Sequence, residues 1–294
     1  MSTLTAEPAL VAQNGRSRAA QLRRFVRRHP TIVAGGVILA IVALLALAAP
    51  LFAGDAITMH PAQRLRPPSD KDWFGTDHLG RDVFARTIYG ARVSLLVGLC
   101  VAAVSIAVGL FIGLMAGYFR KIDAVVMRLM DGLMSIPAIL LAIALVALTR
   151  ASISTVIIAI TIPEVPRVVR LVRAVVLGVR EAPYVEAAVA GGTPTWKILA
   201  RHILPSTINP LIVQATYICA SAILIEAALS FLGAGTPPEI PTWGNMIAQS
   251  RLFLSRAPWT IFAPGIALAL VVLAVNLLGD GLRDRLDPRL ARRM

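Results

Sequence analysis

The sequence predicts an all-α, polytopic membrane protein with six transmembrane helices and both termini cytoplasmic. Three observations carry that prediction. Of the 294 residues, 57% are hydrophobic and only 15% charged, where an average soluble domain has about a quarter charged. The apolar residues fall in blocks of roughly 20, the length that crosses a bilayer as a helix. The 29 lysines and arginines, which leave a net charge of +13, are distributed unequally between alternate loops. A mean hydropathy of +0.74 excludes a soluble enzyme, a disordered or collagen-like chain and a nucleic-acid binder.

The first 30 residues form a basic tail with Arg16, Arg18, Arg23, Arg24, Arg27 and Arg28, and the part before Phe25 reads as disordered. The apolar run 31–53 follows as the first span. At 23 residues it is longer than the 7 to 15 of a secretory signal core, so an uncleaved anchor is favoured despite Ala46-Leu47-Ala48. Residues 54–92 are an extracytoplasmic segment, extended around Pro61, Pro67 and Pro68, then helical from Asp77 to Ser94 with Asp77 or Asp82 as cap. Spans two (93–119), three (124–149), five (208–229) and six (258–279) rest on further stretches free of charge. Residues 230–257 form a second extracytoplasmic loop, and 280–294 a cytoplasmic tail.

Span four, 151–172, is decided by charge. Only Ala151 to Pro163 is apolar before Glu164. With six spans, 20 Lys and Arg lie inside and 9 outside; without the fourth the split is 11 against 18. Positive charge accumulates on the cytoplasmic side, so the span is kept, with Arg167, Arg170 and Arg173 at its inner end. Span two carries Gly109, Gly113 and Gly117, a small-residue face suited to close helix approach within this chain or against a partner. Cys100 and Cys219 sit in apolar blocks, and the four histidines are scattered, so neither a disulfide framework nor a metal site is suggested.

The cytoplasmic segment 173–207 carries the most information. Pro183 suits the first turn of a helix through Glu186, Ala187 and Ala188. Gly191-Gly192 breaks it, and Thr193 caps a second short helix through Trp196, Ile198 and Leu199 that ends near Leu204-Pro205. Two short helices at an angle make a knob for a groove on another protein. An interfacial helix lying on anionic lipid is the alternative.

Glu186-Ala187-Ala188, Gly192 and Ile203-Leu204-Pro205 resemble the EAA loop of binding-protein-dependent ABC importer permeases. Phe74-Gly75-Thr76-Asp77, Gly80-Arg81-Asp82-Val83, Glu226-Ala227-Ala228-Leu229-Ser230-Phe231-Leu232-Gly233, Trp243-Gly244-Asn245 and Asn276 to Asp284 with Asp287-Pro288 are similar to the second permease subunit of the dipeptide, oligopeptide and nickel subfamily. Pro183 stands where that subfamily more often has an acidic residue.

The resemblance implies the type I permease fold and half of a pore in the bacterial inner membrane. The implied partners are a homologous second permease, two ATP-binding subunits carrying ATP and Mg, an extracytoplasmic substrate-binding protein and membrane lipid, with no nucleic acid. No GxxxxGK[ST] occurs in the chain, so hydrolysis is expected on the separate subunits and no cofactor in this one. Glu186, Ala187, Ala188, Gly192, Trp196, Ile198 and Leu199 are then the expected ATPase-coupling residues. Short peptides are the expected substrate, with nickel complexes or glutathione as alternatives in the same family. Glu226, near the outer end of span five, either anchors the outer loop or lines the pathway. A self-sufficient channel or secondary transporter would need ionisable groups in mid-span, and the apolar stretches 31–53, 93–119, 132–149, 202–225 and 257–279 hold no Asp, Glu, Lys or Arg, Glu226 coming directly after the fourth.

Overall fold

The computed structural model describes residues 26–286. Most of the expected basic tail, and the end of the C-terminal tail with Asp287-Pro288, lie outside these residues. Among the described residues nine helices set the architecture: α1 (Pro30–Phe52), α2 (Val83–Tyr118), α3 (Arg120–Met134), α4 (Ala138–Ala147), α5 (Ile153–Arg180), α6 (Pro183–Ala190), α7 (Thr195–Phe231), α8 (Trp243–Ser250) and α9 (Trp259–Leu286). No strand occurs among the described residues, only an isolated bridge between Thr76 and Asp82.

Several ends differ from the sequence-based expectation. α2 begins ten residues before 93, because Asp82 accepts from Phe84 N at 2.8 Å and opens the helix there. Asp77 does not start a helix: Gly80 takes φ +76° and turns the chain. The Asp77 carboxylate instead accepts from Leu79 N, Arg81 N and Arg81 Nε at 2.7 to 3.0 Å. The stretch expected as span 124–149 is α3 and α4, bent by 86°. Pro137 has no N–H to donate and disfavours helical backbone at Ile136, while the Ser135 hydroxyl donates to Gly132 O at 2.7 Å and closes α3. α5 starts where Ser152 accepts from Thr155 N and runs to Arg180, eight residues beyond 172.

Among the described residues four helices, α1, α2, α7 and α9, are long and apolar enough to cross a membrane, or five spans if α3 and α4 count as one. Small residues let them approach closely, as packing between membrane helices requires. A Cβ added at Gly109, Gly113 or Gly117 of α2 would lie 2.5 to 2.7 Å from Val168, Val172 or Val176 of α5. The glycine series is therefore a seam inside this chain. Gly35 on α1 meets the Ala274 carbonyl of α9 in the same way, and Gly279 on α9 meets Thr216 of α7.

The α1–α2 segment and α8 form a cap over one end of the bundle. Trp243 of α8 is 1% exposed, its indole N–H donating to Thr87 O at 3.0 Å. Arg81 Nη2 donates to Gln249 Oε1 at 2.7 Å and Arg86 Nη1 to Ala56 O at 3.1 Å. His78 stacks on Phe253 with ring centroids 5.5 Å apart.

Candidate coupling site

At the other end of the bundle α5 passes into α6 through a turn at Glu181 and Ala182. Pro183 occupies the first turn of α6, where a missing N–H leaves no bond unmade. Val185, 1% exposed, fixes the helix to the core, which leaves Glu186 and Ala187 exposed and Ala188 half-buried. α6 ends in paired reverse bonds, Gly192 N to Val189 O at 3.0 Å and Thr193 N to Ala188 O at 3.0 Å. Gly192 has φ +75° with nothing within 4 Å of an added Cβ. Backbone conformation alone, not crowding, requires glycine there.

The second arm departs from expectation twice. Thr193 does not cap it; Pro194 precedes the first turn, and its carbonyl accepts from Lys197 N and Ile198 N. Nor does the arm end near Leu204-Pro205. Over Ile198–Ile203 the helix widens into a π turn, with Leu204 N–H reaching back to Leu199 O. That widening absorbs Pro205, which has no N–H and whose ring crowds a normal turn. The arm runs on as α7.

Trp196 is 66% exposed, and on α6 Tyr184 is exposed at 51% and Val189 at 53%. Ile198 and Leu199, expected on the docking surface, are buried in the chain's own core at 2% and 9%. They support the knob from within, because the turn that exposes Trp196 points the next two side chains inward. Tyr184 and Val189 were missed; an inward Val185 turns the adjacent Tyr184 away from the core, whereas Val189, four residues on, shares the face of Val185, and no helical period signals its exposure. Glu186 makes no ion pair among the described residues.

The base of the knob is tied down by arginines of α5 that the sequence offered only as orientation signals. Arg173 pairs with Asp123 of α3, Arg170 Nη2 lies 2.5 Å from Asp131 Oδ1, and Arg180 Nη1 donates to Gly117 O at 3.2 Å. The last contact sets a cation on the carbonyl end of α2, where the helix dipole favours it. Glu226 lies at the far end, fully buried, with the Ser230 hydroxyl donating to Oε1 at 2.8 Å and Thr242 beside it. It reaches no surface of the chain.

Residues 105–292 match the family model described as binding-protein-dependent transport system inner membrane component. The chain belongs to this family. Residues 17–68 of the permease also match the N-terminal TM domain of oligopeptide transport permease C. A probable peptide ABC transporter permease protein of Sinorhizobium fredii is 63% identical over 92% of this chain and 93% of its own. The dipeptide transport system permease protein of Alkalihalophilus pseudofirmus is 43% identical, covering 90% and 88%. The glutathione transport system permease protein of Pectobacterium atrosepticum is 40% identical, covering 91% and 90%. Among solved structures, the MetNI methionine ABC transporter in an inward-facing conformation aligns with TM-score 0.54 at 19% identity, over 69% of this chain and 96% of that one. At that identity the likeness shows the fold alone; the inner-membrane family together with the apolar helices places the protein in the inner membrane.

Proposed function

We propose that this permease forms half of a translocation path for short peptides and is driven by two ATP-binding subunits through the α6–Trp196 knob. A homologous second permease completes the path, and an extracytoplasmic binding protein delivers the peptide. ATP and Mg belong to the partner subunits. Six spans with both termini inside follow if α3–α4 makes one crossing and α5 another. The peptide reading is supported by the names of the relatives, with glutathione or nickel complexes as the competing cargo.

The observation that carries the coupling role is continuity. The exposed knob is one piece with α5 on one side and α7 on the other, and its base is locked to α2 and α3. A groove that closes around Tyr184, Glu186, Val189 and Trp196 would therefore move long helices as rigid bodies. Apolar burial at about 25 cal/mol per Å² makes Trp196 and Tyr184 the main source of docking energy. An exposed ion pair from Glu186 adds about 0 to 1 kcal/mol.

The test is reconstitution with both ATP-binding subunits, the second permease and binding protein. Glu186→Lys with Gly192→Pro should abolish peptide uptake in proteoliposomes and leave peptide binding by the soluble receptor intact. Unimpaired uptake would remove the coupling role, and uptake by this chain alone would remove the whole reading.

A further inference from the structure

Glu164 and Arg167 put charge where a lipid-facing helix carries none. α5 begins at Ile153, so Glu164 lies about 16 Å along it at 1.5 Å per residue, near the middle of a hydrocarbon layer about 30 Å thick. Its carboxylate is fully buried. Arg167 Nη1 donates to both carboxylate oxygens, at 3.0 and 3.2 Å, and Ser221 of α7 lies beside the same group. The Arg167 side chain is nonetheless 38% exposed, and its Nε and Nη2 make no hydrogen bond among the described residues.

This is not an arginine reaching for the aqueous boundary. Helical side chains lean toward the N-terminus of their own helix, and Glu164 sits in that direction, so the guanidinium is drawn toward the bilayer midplane. The arginines further along α5 are otherwise engaged, with Asp131, Asp123 and the Gly117 carbonyl. On the cytoplasmic side of Arg167 the same face of α5 carries Leu171, Ala174 and Gly178, half-buried or exposed, with open space beside Gly178. On α7, Tyr217 is 53% exposed one turn on the cytoplasmic side of Ser221, the residue beside Glu164, and Gln214 follows half-buried. A half-exposed guanidinium is costly against lipid. This face therefore looks onto water or another polar surface.

We propose that Arg167, held by Glu164, leads a polar track with Tyr217 and Gln214 that hydrogen-bonds the carbonyl and carboxylate oxygens of the substrate as it passes. The inference rests on the reading of this chain as half of a peptide path and names residues of that path. Glu164 has a further part in it. By balancing the arginine's charge it leaves two strong donors without a net positive trap, and passage needs sites that release what they bind. Arg167 is a binding residue here, and Glu164 a positioning one.

The experiment uses the complete importer with Cys100 and Cys219 replaced by Ala. In that background Arg167→Cys should react with a charged, membrane-impermeant thiol reagent in at least one nucleotide state, more slowly when peptide-loaded binding protein is present. Arg167→Ala should lower peptide uptake about tenfold, a change of about 1.4 kcal/mol in barrier, while ATPase stimulated by binding protein stays within about twofold; Arg167→Lys should retain more uptake than Ala. No labelling in any state overturns the proposal, as does unchanged uptake in the Ala variant. A parallel fall of uptake and ATPase with Lys no better than Ala would also overturn it, by marking Arg167 as structural. A wild-type importer that moves no peptide would instead defeat the peptide reading, and the labelling result would still decide whether Arg167 faces a path.

Discussion

At Trp196 and Ile198, two residues apart, the chain makes opposite use of two large apolar side chains. Trp196 is 66% exposed, with Lys197 Nζ over its ring at 5.4 Å, and Ile198 is 2% exposed. Truncating each should separate coupling from stability. Ile198→Ala leaves a cavity in a packed core and should cost about 2 to 5 kcal/mol, read as a lower melting temperature in detergent. Trp196→Ala should leave melting unchanged, within about 0.5 kcal/mol, and lower peptide-stimulated ATPase in the assembled importer. Equal loss of stability in both would contradict the division. His78, in the cap, gives a residue-level pH dependence. Burial is the main cause holding its imidazole below the ordinary value of 6.5, with Asp77 opposing and Arg81, Arg86 and Arg64 assisting. The folded state thus prefers neutral His78, so its contribution to stability is complete above 6.5 and is lost as pH falls below that value. Burial raises the Asp82 carboxyl from 3.8, an effect of opposite sign lower on the scale. Hydrogen exchange in residues 54–82, corrected for intrinsic rates, should speed up as pH drops below 6.5, and His78→Phe should flatten the response.

The seam between α2 and α5 is the element that most resists change. Its three glycines face three valines in register, and the Cβ at position 113 would meet Val172 Cβ at 2.7 Å with the Val169 carbonyl at 3.0 Å. A backbone atom cannot swing aside, so Gly113→Leu should force the helices apart and destabilise by about 1 to 3 kcal/mol. Thermal unfolding of the purified permease measures this, and an unchanged midpoint would mean that the seam opens freely. The seam was half legible. Four-residue spacing of glycines announced a close approach, but which helix approached depended on Val168, Val172 and Val176, a spacing any apolar helix shows. The knob was legible where local chemistry decides, at Pro183 and at Gly192. It was not legible where tertiary packing decides: the π turn that carries the chain past Pro205, the inward turn of Ile198 and Leu199, and the 86° break between α3 and α4. The ties from Arg173 to Asp123 and Arg170 to Asp131 span 50 and 39 residues, and no sequence period records such distances.

For the whole molecule the question is whether α5 crosses the bilayer. By composition it does not qualify, since Glu164, Arg167, Arg170 and Arg173 interrupt its apolar surface. Its geometry points the other way. Twenty-eight residues span about 42 Å, more than a hydrocarbon layer of about 30 Å. The charges are also paired within the protein, with Glu164, Asp131 and Asp123, and the exposed part of Arg167 belongs to the face proposed above to line the path. Charge asymmetry adds the decisive weight. With α5 crossing, 20 of 29 Lys and Arg lie inside; without it, 18 lie outside, against the rule that cytoplasmic loops hold the excess. It would also place the knob on the side opposite the basic tail. Single cysteines in a Cys100→Ala, Cys219→Ala background resolve the matter. A cysteine at Arg150 should react with an impermeant thiol reagent added outside intact spheroplasts, and one at Glu181 only after the membrane is opened. Labelling of both from one side would show that α5 does not cross, and would put the proposed coupling knob out of reach of cytoplasmic ATP-binding subunits.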